Sequence, residues 1–310
     1  MRVRGAASIA AVVAVLVAVV AAAVQLTSYA LFGSVAAQPS IPALVTAAWP
    51  FDLLPETGLA RFPGVRRELA RAALLRGESE RAATLLAGAG SGDDAEDLRG
   101  QLAVATNDAD AAVRHFGHAG DIVQARALID SRAASDPAAA LRLAESFDRA
   151  TAVRAIPAAV IAQSDWREGE LAAAVAAQTG GSVSNAQTSG TTDRLNRQAL
   201  AKYEAAARLD PTQDAYGLAV GFEAIVVGDA ARSRDAYAHV AGIDPQSVDA
   251  AAGLAVADAL TGACALASAA YARAQALAAQ QHRTLDLATA GYPASAQHAL
   301  TRCLAAESAR

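Results

Sequence analysis

The sequence has 310 residues and is 54% hydrophobic, a content that excludes an intrinsically disordered chain. Alanine accounts for 87 residues and aromatic residues for only 5% of the chain, so the core must be built from small side chains. Because alanine is the best helix former, this composition predicts many short helices and almost no strand. The net charge is -5 with a single lysine, Lys202. A nucleic-acid partner is therefore disfavoured, since phosphate binding needs clustered positive charge.

The amino terminus has the pattern of a transmembrane helix. Over residues 5–24 the only polar side chain is Ser8, and a helix of this length spans about 30 Å, the thickness of the hydrocarbon core. Arg2 and Arg4 precede the apolar run. The positive-inside rule then places residues 1–4 in the cytoplasm and the body outside it. The pattern predicts a single-pass signal anchor in the inner (cytoplasmic) membrane of a bacterium, with a periplasmic body.

A cleavable signal peptide is the alternative. Val35, Ala36 and Ala37 before Gln38 form a small-residue cleavage pattern, and cleavage near Ala37 would release a secreted protein. The apolar run is longer than the usual ~7–15 residues of such a peptide. Ala37 also lies thirteen positions beyond the end of the run. Both features favour the retained anchor.

Residues 25–65 combine prolines with aromatic side chains. They include Tyr29, Phe32, Trp49, Phe51, Phe62, Pro39, Pro42, Pro50, Pro55 and Pro63. Proline breaks helices and aromatic rings favour the membrane interface, so the segment is predicted to be a non-helical or short-helical juxtamembrane collar. A linker that packs on the first repeat is the alternative.

A spacing of 34 residues recurs near the carboxyl end. The positions that repeat are Asp210-Pro211 and Asp244-Pro245, the tyrosines Tyr203, Tyr237 and Tyr271, the glycines Gly228 and Gly262, and the small residues Ala199, Ser233 and Ala267. Glycine ends a helix in a left-handed conformation, and proline cannot continue the helix behind it. The small residue and the tyrosine share one helix face at i and i+4, where the small residue admits a neighbouring helix.

This pattern resembles the tetratricopeptide repeat (TPR) family, most clearly over residues 193–279. The family's usual large aromatic residue early in the first helix is replaced here by Gly217 or Ala251. The resemblance implies an all-α fold, a right-handed α-solenoid of helical hairpins, which would follow the predicted N-terminal transmembrane helix. It also implies protein partners that bind along the concave face.

The same pattern occurs upstream in a more divergent form. Ala82 and Leu86 follow one turn signal, and Ala112 and Phe116 follow another 30 residues later. Their offsets from the turn match those of the later repeats. Residues 66–178 are therefore predicted to form divergent helical hairpins of the same solenoid.

Two further segments complete the predicted organisation. Residues 179–192 read TGGSVSNAQTSGTT, which has no hydrophobic periodicity and predicts a flexible loop. This loop is interpreted as a tolerated insertion, with a recognition loop as the alternative. Residues 280–310 are predicted to form C-terminal capping helices.

Candidate catalytic and metal-binding motifs are sparse. His115 and His118 share a helix face, and Asp121 is a possible third ligand across a turn, but no full set of ligands is apparent. The two histidines are therefore interpreted as a capping and packing feature. The glycines within 88–92 follow a predicted helix rather than a strand and read as a helix stop. The sequence predicts no catalytic residue, no cofactor and no metal site.

Cys264 and Cys303 are the two cysteines of the chain. They fall in neighbouring predicted hairpins and could form a disulfide if the body lies outside the cytoplasm. The alternative is two small buried side chains that do not meet.

The TPR resemblance also indicates which residues would line the concave face. They are Leu218, Phe222, Ile225, Asp249, Ala252 and Val256. Family members that grip a partner's terminal carboxylate use lysine, arginine or asparagine on this face, and these positions have none. An apolar helix or strand is therefore the expected partner segment, with Phe222 as its main contact.

These observations predict a membrane-anchored TPR-like scaffold, without catalysis of its own, that binds another envelope or membrane protein. Two alternatives stay open. One is a subunit of an envelope enzyme complex whose active site is shared with a partner. The other is a small-molecule carrier that uses the solenoid groove. The sequence does not predict an oligomeric state.

Overall fold

The computed structural model describes residues 62–152, 154–180, 186–286 and 290–309. Within these ranges the chain forms thirteen helices and no strand. In chain order they are α1 (Pro63–Leu75), α2 (Ser79–Ala87), α3 (Asp93–Ala105), α4 (Ala109–Ala119), α5 (Ile122–Ala133), α6 (Pro137–Thr151), α7 (Ala158–Gly180), α8 (Ala186–Leu209), α9 (Asp214–Val226), α10 (Ala230–Ile243), α11 (Val248–Leu260), α12 (Cys264–Gln280) and α13 (Ala294–Ser308).

Four turns between paired helices share one backbone geometry. Each has a residue with positive φ, namely Gly77 (75°), Asn107 (60°), Gly228 (83°) and Gly262 (79°). In each turn the next residue's N–H donates to the carbonyl oxygen five residues back, over 2.8 to 2.9 Å. This bond is the signature of the Schellman turn, in which a left-handed residue ends a helix. The two helices also pack on each other in each of the pairs α1/α2, α3/α4, α9/α10 and α11/α12, which are therefore helical hairpins of one kind.

Burial confirms the small-residue positions of the 34-residue repeat and two of its three tyrosines, since Tyr271 is only half-buried. Ala199, Ser233 and Ala267, the small positions of the second helix, are each 0% exposed. Tyr203 and Tyr237 are 7% and 2% exposed. Small side chains thus lie where helices meet, and the rings fill the space beside them.

Glycine permits the closest of these contacts. The ring of Tyr237, on α10, lies between Gly221 of α9 and Gly253 of α11. A Cβ atom at Gly221 or Gly253 would lie 2.8 or 2.3 Å from the ring. The ring therefore packs directly on the backbone of two helices, one in its own hairpin and one in the next.

The divergent upstream repeats show the same arrangement. Ala82, Leu86, Ala112 and Phe116, the positions chosen by their offset from a turn, are all at most 2% exposed. Phe116 packs on Gly100 of the paired helix, where a Cβ atom would lie 2.6 Å from the ring. An aromatic ring on a glycine is the contact that Tyr237 makes in the later repeats.

The chain divides into two compact units. One comprises the described residues up to Leu128 together with those within 146–154, and the other comprises Ile129–Glu145 together with the described residues from Ala155 onward, so α5 and α6 contribute to both. In the second unit each helix from α7 to α12 packs on the next, and α13 packs on α11 and α12. Successive hairpins stacked in this way form a TPR-like α-solenoid.

Three predicted boundaries are corrected by the structure. The collar was expected to reach residue 65, but α1 begins at Pro63, since proline suits the first turn of a helix. The described residues of the flexible loop predicted over 179–192 are helical, because α7 continues to Gly180 and α8 begins at Ala186. The C-terminal segment holds one helix, α13, within its described residues.

The insertion between α7 and α8 lengthens both helices of the hairpin. These helices have 23 and 24 residues, against 13 and 14 in the next hairpin. The Thr179 and Thr192 hydroxyls lie 3.2 Å apart, which joins the two helices near this end.

No helix among the described residues is long and apolar enough to cross a membrane. The predicted anchor at residues 5–24, the predicted cytoplasmic residues 1–4 and most of the predicted collar lie outside the described residues.

Candidate functional site

The predicted concave face does not present all of its residues to a partner. Ile225 and Val256 are 4% and 0% exposed and belong to a core cluster that also holds Ala299 and Leu300 of α13. Ala252, at 4% exposure, packs against α12. These three positions are corrected from partner contacts to core residues, because α13 packs against Ile225 and Val256 and α12 packs against Ala252.

The remaining predicted lining residues also meet the C-terminal segment. Leu218 and Phe222 are half-buried, and the Phe222 ring centroid lies 5.5 Å from that of Tyr292. The Asp249 carboxylate lies 3.2 Å from the Arg283 guanidinium. The chain's own carboxyl end therefore occupies much of the surface that was predicted to bind a partner.

A disulfide and a hydrogen bond hold the C-terminal segment against these helices. Cys264, at the start of α12, is joined to Cys303 of α13 across 39 residues of sequence. A cross-link that closes such a loop typically contributes about 2–4 kcal/mol to stability. The Tyr237 and Tyr292 hydroxyl oxygens lie 3.1 Å apart in the core. Burial raises the pKa of both tyrosines, so both hydroxyls stay protonated and either one can donate the hydrogen bond.

A surface cleft of about 440 Å³ lies between α8, α9 and α10. Gly217 and Val220 of α9 and Ala236 of α10 contribute to its apolar floor. Gly217 has no side chain and packs closely on Val240, where a Cβ atom would lie 2.5 Å from a methyl group. The hairpin α9/α10 and the preceding helix α8 thus leave a shallow, open channel.

Charged side chains surround the cleft. Its wall includes Glu204 and Arg208 of α8 and Arg232, Asp235 and His239 of α10. The Arg232 Nε atom lies 3.3 Å from the Glu204 carboxylate, which joins α8 to α10 across the opening. The second helices of successive hairpins therefore supply the charges, while the floor stays apolar. This combination suits a peptide segment with both apolar and charged side chains.

Three charged groups, two of them buried, join the helices of the neighbouring α7/α8 hairpin. The ammonium of Lys202, the single lysine, lies 3.0 Å from the Asp165 carboxylate and 2.8 Å from that of Glu168. Both carboxylates are largely buried. A charge that is removed from water needs such partners, so these ion pairs hold α7 against α8.

One group of possible metal ligands lies in the first unit of the described chain. Glu96 of α3 and His115 and His118 of α4 each place a ligand atom within 4.8 Å of the others. The sequence indicated the two histidines but looked for a third ligand at Asp121, whose carboxylate instead accepts a hydrogen bond from the Gln124 backbone N–H. Glu96 was missed because it lies on the preceding helix, 19 residues before His115.

Comparisons with known proteins give only remote similarities. No protein-family model matches the sequence, and no curated protein matches it. Among solved structures, a crystal structure of MamA is 13% identical with a TM-score of 0.41, covering 59% of this chain and 96% of that one. The TPR domain of P58(IPK) is 12% identical with a TM-score of 0.28, covering 91% of this chain and 93% of that one. The TPR-like assignment therefore rests on the shared turns and the buried repeat positions.

Proposed function

We propose that this protein is a membrane-anchored TPR-like scaffold that binds a segment of another envelope or membrane protein. It acts by binding and has no catalysis of its own. The observation that carries the proposal is the open cleft between α8, α9 and α10, which has an apolar floor and a charged wall. Residues 5–24 serve as the anchor and the repeats lie outside the cytoplasm.

The shape of the cleft favours a peptide over a small molecule. Small-molecule sites usually enclose most of their ligand's surface. This cleft is shallow and open, so a ligand in it would stay largely exposed. A protein segment can lie along such a channel and continue beyond it, and its polar groups can pair with Arg208 of α8 and Asp235 of α10.

Two observations support a location outside the cytoplasm. The Cys264–Cys303 disulfide is of a kind that persists in oxidising compartments and is rare in the cytosol. The apolar run over 5–24 follows two arginines, as expected for an anchor with its amino end in the cytoplasm.

Reporter fusions test this topology. Alkaline phosphatase fused after Gln101 is expected to be active, because the enzyme needs its own disulfides and folds outside the cytoplasm. A cytoplasmic fluorescent reporter fused at the same residue is the control and should stay dark. An inactive phosphatase together with a bright reporter would contradict the topology. A mature chain that begins at Gln38 would contradict the retained anchor alone.

Crosslinking from the cleft tests the binding proposal. A photo-reactive amino acid at Arg208, on the cleft wall, is expected to crosslink a protein in native membranes. Replacing Ala236 by arginine fills the cleft from its floor and should reduce this crosslink at least about tenfold, since a charged side chain then occupies the apolar site. Ala238→Arg is the matched control, because Ala238 is exposed on the same helix and does not line the cleft.

The proposed binding site fails if the crosslink at Arg208 persists in a folded Ala236→Arg protein. It also fails if Ala238→Arg reduces the crosslink equally. Circular dichroism melting of both variants checks that they fold as the unchanged protein does.

A further inference from the structure

Three ligand atoms converge at one end of the α3/α4 hairpin. Glu96 lies in the first turn of α3, and His115 and His118 lie near the end of α4, so the antiparallel pairing brings them together. The Glu96 Oε2 atom lies 2.7 Å from Nδ1 of His115 and 3.8 Å from Nδ1 of His118. A single carboxylate oxygen therefore faces both imidazoles.

The other oxygen of Glu96 is held by Arg99. The guanidinium of Arg99 lies 2.5 Å from Oε1 and also donates to the carbonyl oxygens of Leu86 and Gly90. The carboxylate is thus fixed in orientation, as a metal ligand with an outer partner is.

The backbone next to the histidines is fixed as well. The Arg154 guanidinium donates to the His118 carbonyl oxygen and pairs with the Asp93 carboxylate over 2.9 Å. It therefore ties the end of α4 to the start of α3. The side chains of Glu96, His115 and His118 are 20%, 33% and 50% exposed, so solvent reaches the group and can complete a coordination shell.

We propose that Glu96, His115 and His118 bind one divalent transition-metal ion, for which zinc is the best match. Two imidazoles and a carboxylate are a ligand set that zinc prefers, whereas calcium and magnesium prefer oxygen alone. Zinc–ligand bonds of about 2.0–2.2 Å put neighbouring ligand atoms of a tetrahedron about 3.3–3.6 Å apart. The observed 2.7 and 3.8 Å bracket this range, and all three ligand atoms lie within 4.8 Å of one another.

The bound ion would act as a cross-link within the first unit. It joins α3 to α4 at the end opposite their Schellman turn at Asn107. The site does not include the cleft and does not depend on the proposed function.

Titration of zinc into the metal-free, full-length chain, without an affinity tag, tests the site. Calorimetry should show one zinc bound per chain, and the protein should melt at a higher temperature with zinc. Glu96→Gln and His118→Ala should each weaken zinc binding at least about tenfold, since even loss of an outer partner of a ligand costs that much. His298→Ala is the control, because it removes an exposed histidine of α13, and its affinity should equal that of the unchanged chain.

Cobalt(II) gives a second measurement that does not depend on stability. It should produce visible absorption bands of a low-symmetry site in the unchanged chain, and these bands should be lost in Glu96→Gln, which keeps the size of the side chain. The site is wrong if no zinc binds, or if Glu96→Gln and His118→Ala bind as tightly as the unchanged chain. It is equally wrong if one zinc joins two chains, which the mass in solution would reveal.

Discussion

Replacing Tyr237 by alanine is expected to lower the free energy of unfolding by about 3–5 kcal/mol, the usual cost of truncating a buried aromatic residue. The side chain is among the largest that are fully buried, and its ring packs directly on Gly221 and Gly253. Because neither glycine has a side chain that could move into the space, the cavity should stay open. Urea unfolding followed by circular dichroism measures the change.

Two further variants separate the contributions to this effect. Tyr237→Phe removes only the hydroxyl that lies 3.1 Å from that of Tyr292, and should cost about 1 kcal/mol. Tyr271→Ala is the matched control, because Tyr271 holds the same repeat position but is only half-buried, and it should cost clearly less than Tyr237→Ala. Equal losses at the two tyrosines would show that the packing between Gly221 and Gly253 is not what stabilises this hairpin.

The repeat positions could be predicted from sequence because they depend on local spacing. A small residue and a tyrosine four residues apart must share a helix face, and a glycine before them ends the previous helix. Ser233, Tyr237 and Gly228 illustrate this, since each has the burial or backbone conformation that its place in the repeat requires. Even Asn107 adopts the left-handed turn that glycine adopts elsewhere.

Contacts between distant segments could not be predicted in this way. The packing of the C-terminal segment includes a contact between Tyr292 and Tyr237, which are 55 residues apart in the sequence. No spacing in the sequence signals that pairing. The covering helix also explains why Ile225 and Val256 are core residues, although their positions in the repeat match a binding face. For the same reason Glu96 could not be predicted as a third ligand beside the histidines, because its contact with them depends on how α3 and α4 face each other.

The polar segment 179–192 shows a different reason why a sequence pattern can mispredict secondary structure. Its glycine, serine and threonine residues have low helix propensity and predict a loop, yet α8 begins at Ala186. Propensity is a weak guide where a helix packs on a partner along its length. From Thr192 onward α8 packs on the long partner helix α7.

The carboxyl group of Glu223 should make the stability of the second unit depend on pH. Glu223 lies on α9, is 2% exposed, and its Oε1 atom has no hydrogen-bond partner among the described residues. Burial raises the pKa of Glu223 from 4.5 to about 7, because the charged form loses its hydration. The burial of Tyr203, together with the negative charge of the nearby Glu223 carboxylate, raises the pKa of the Tyr203 hydroxyl.

The direction of the pH effect follows from the two pKa values. Below pH 4.5 the carboxyl is protonated in both the folded and the unfolded chain, so it costs no stability. As the pH rises from 4.5 to 7, the unfolded chain ionises while the folded chain still holds the proton, and the folded state becomes less stable. Above pH 7 the full cost is present, and a difference of this size in pKa corresponds to about 3 kcal/mol.

Replacing Glu223 by glutamine removes this dependence and leaves the shape of the side chain nearly unchanged. The free energy of unfolding of Glu223→Gln, relative to the unchanged chain, should rise by about 2–3 kcal/mol between pH 5 and pH 8. Using the difference between the two pH values cancels the fixed cost of burying an amide. Glu223→Met, which also lacks the titrating group, should show the same rise. If the relative stability of both variants is the same at pH 5 and pH 8, the carboxyl of Glu223 is not held in its protonated form by burial.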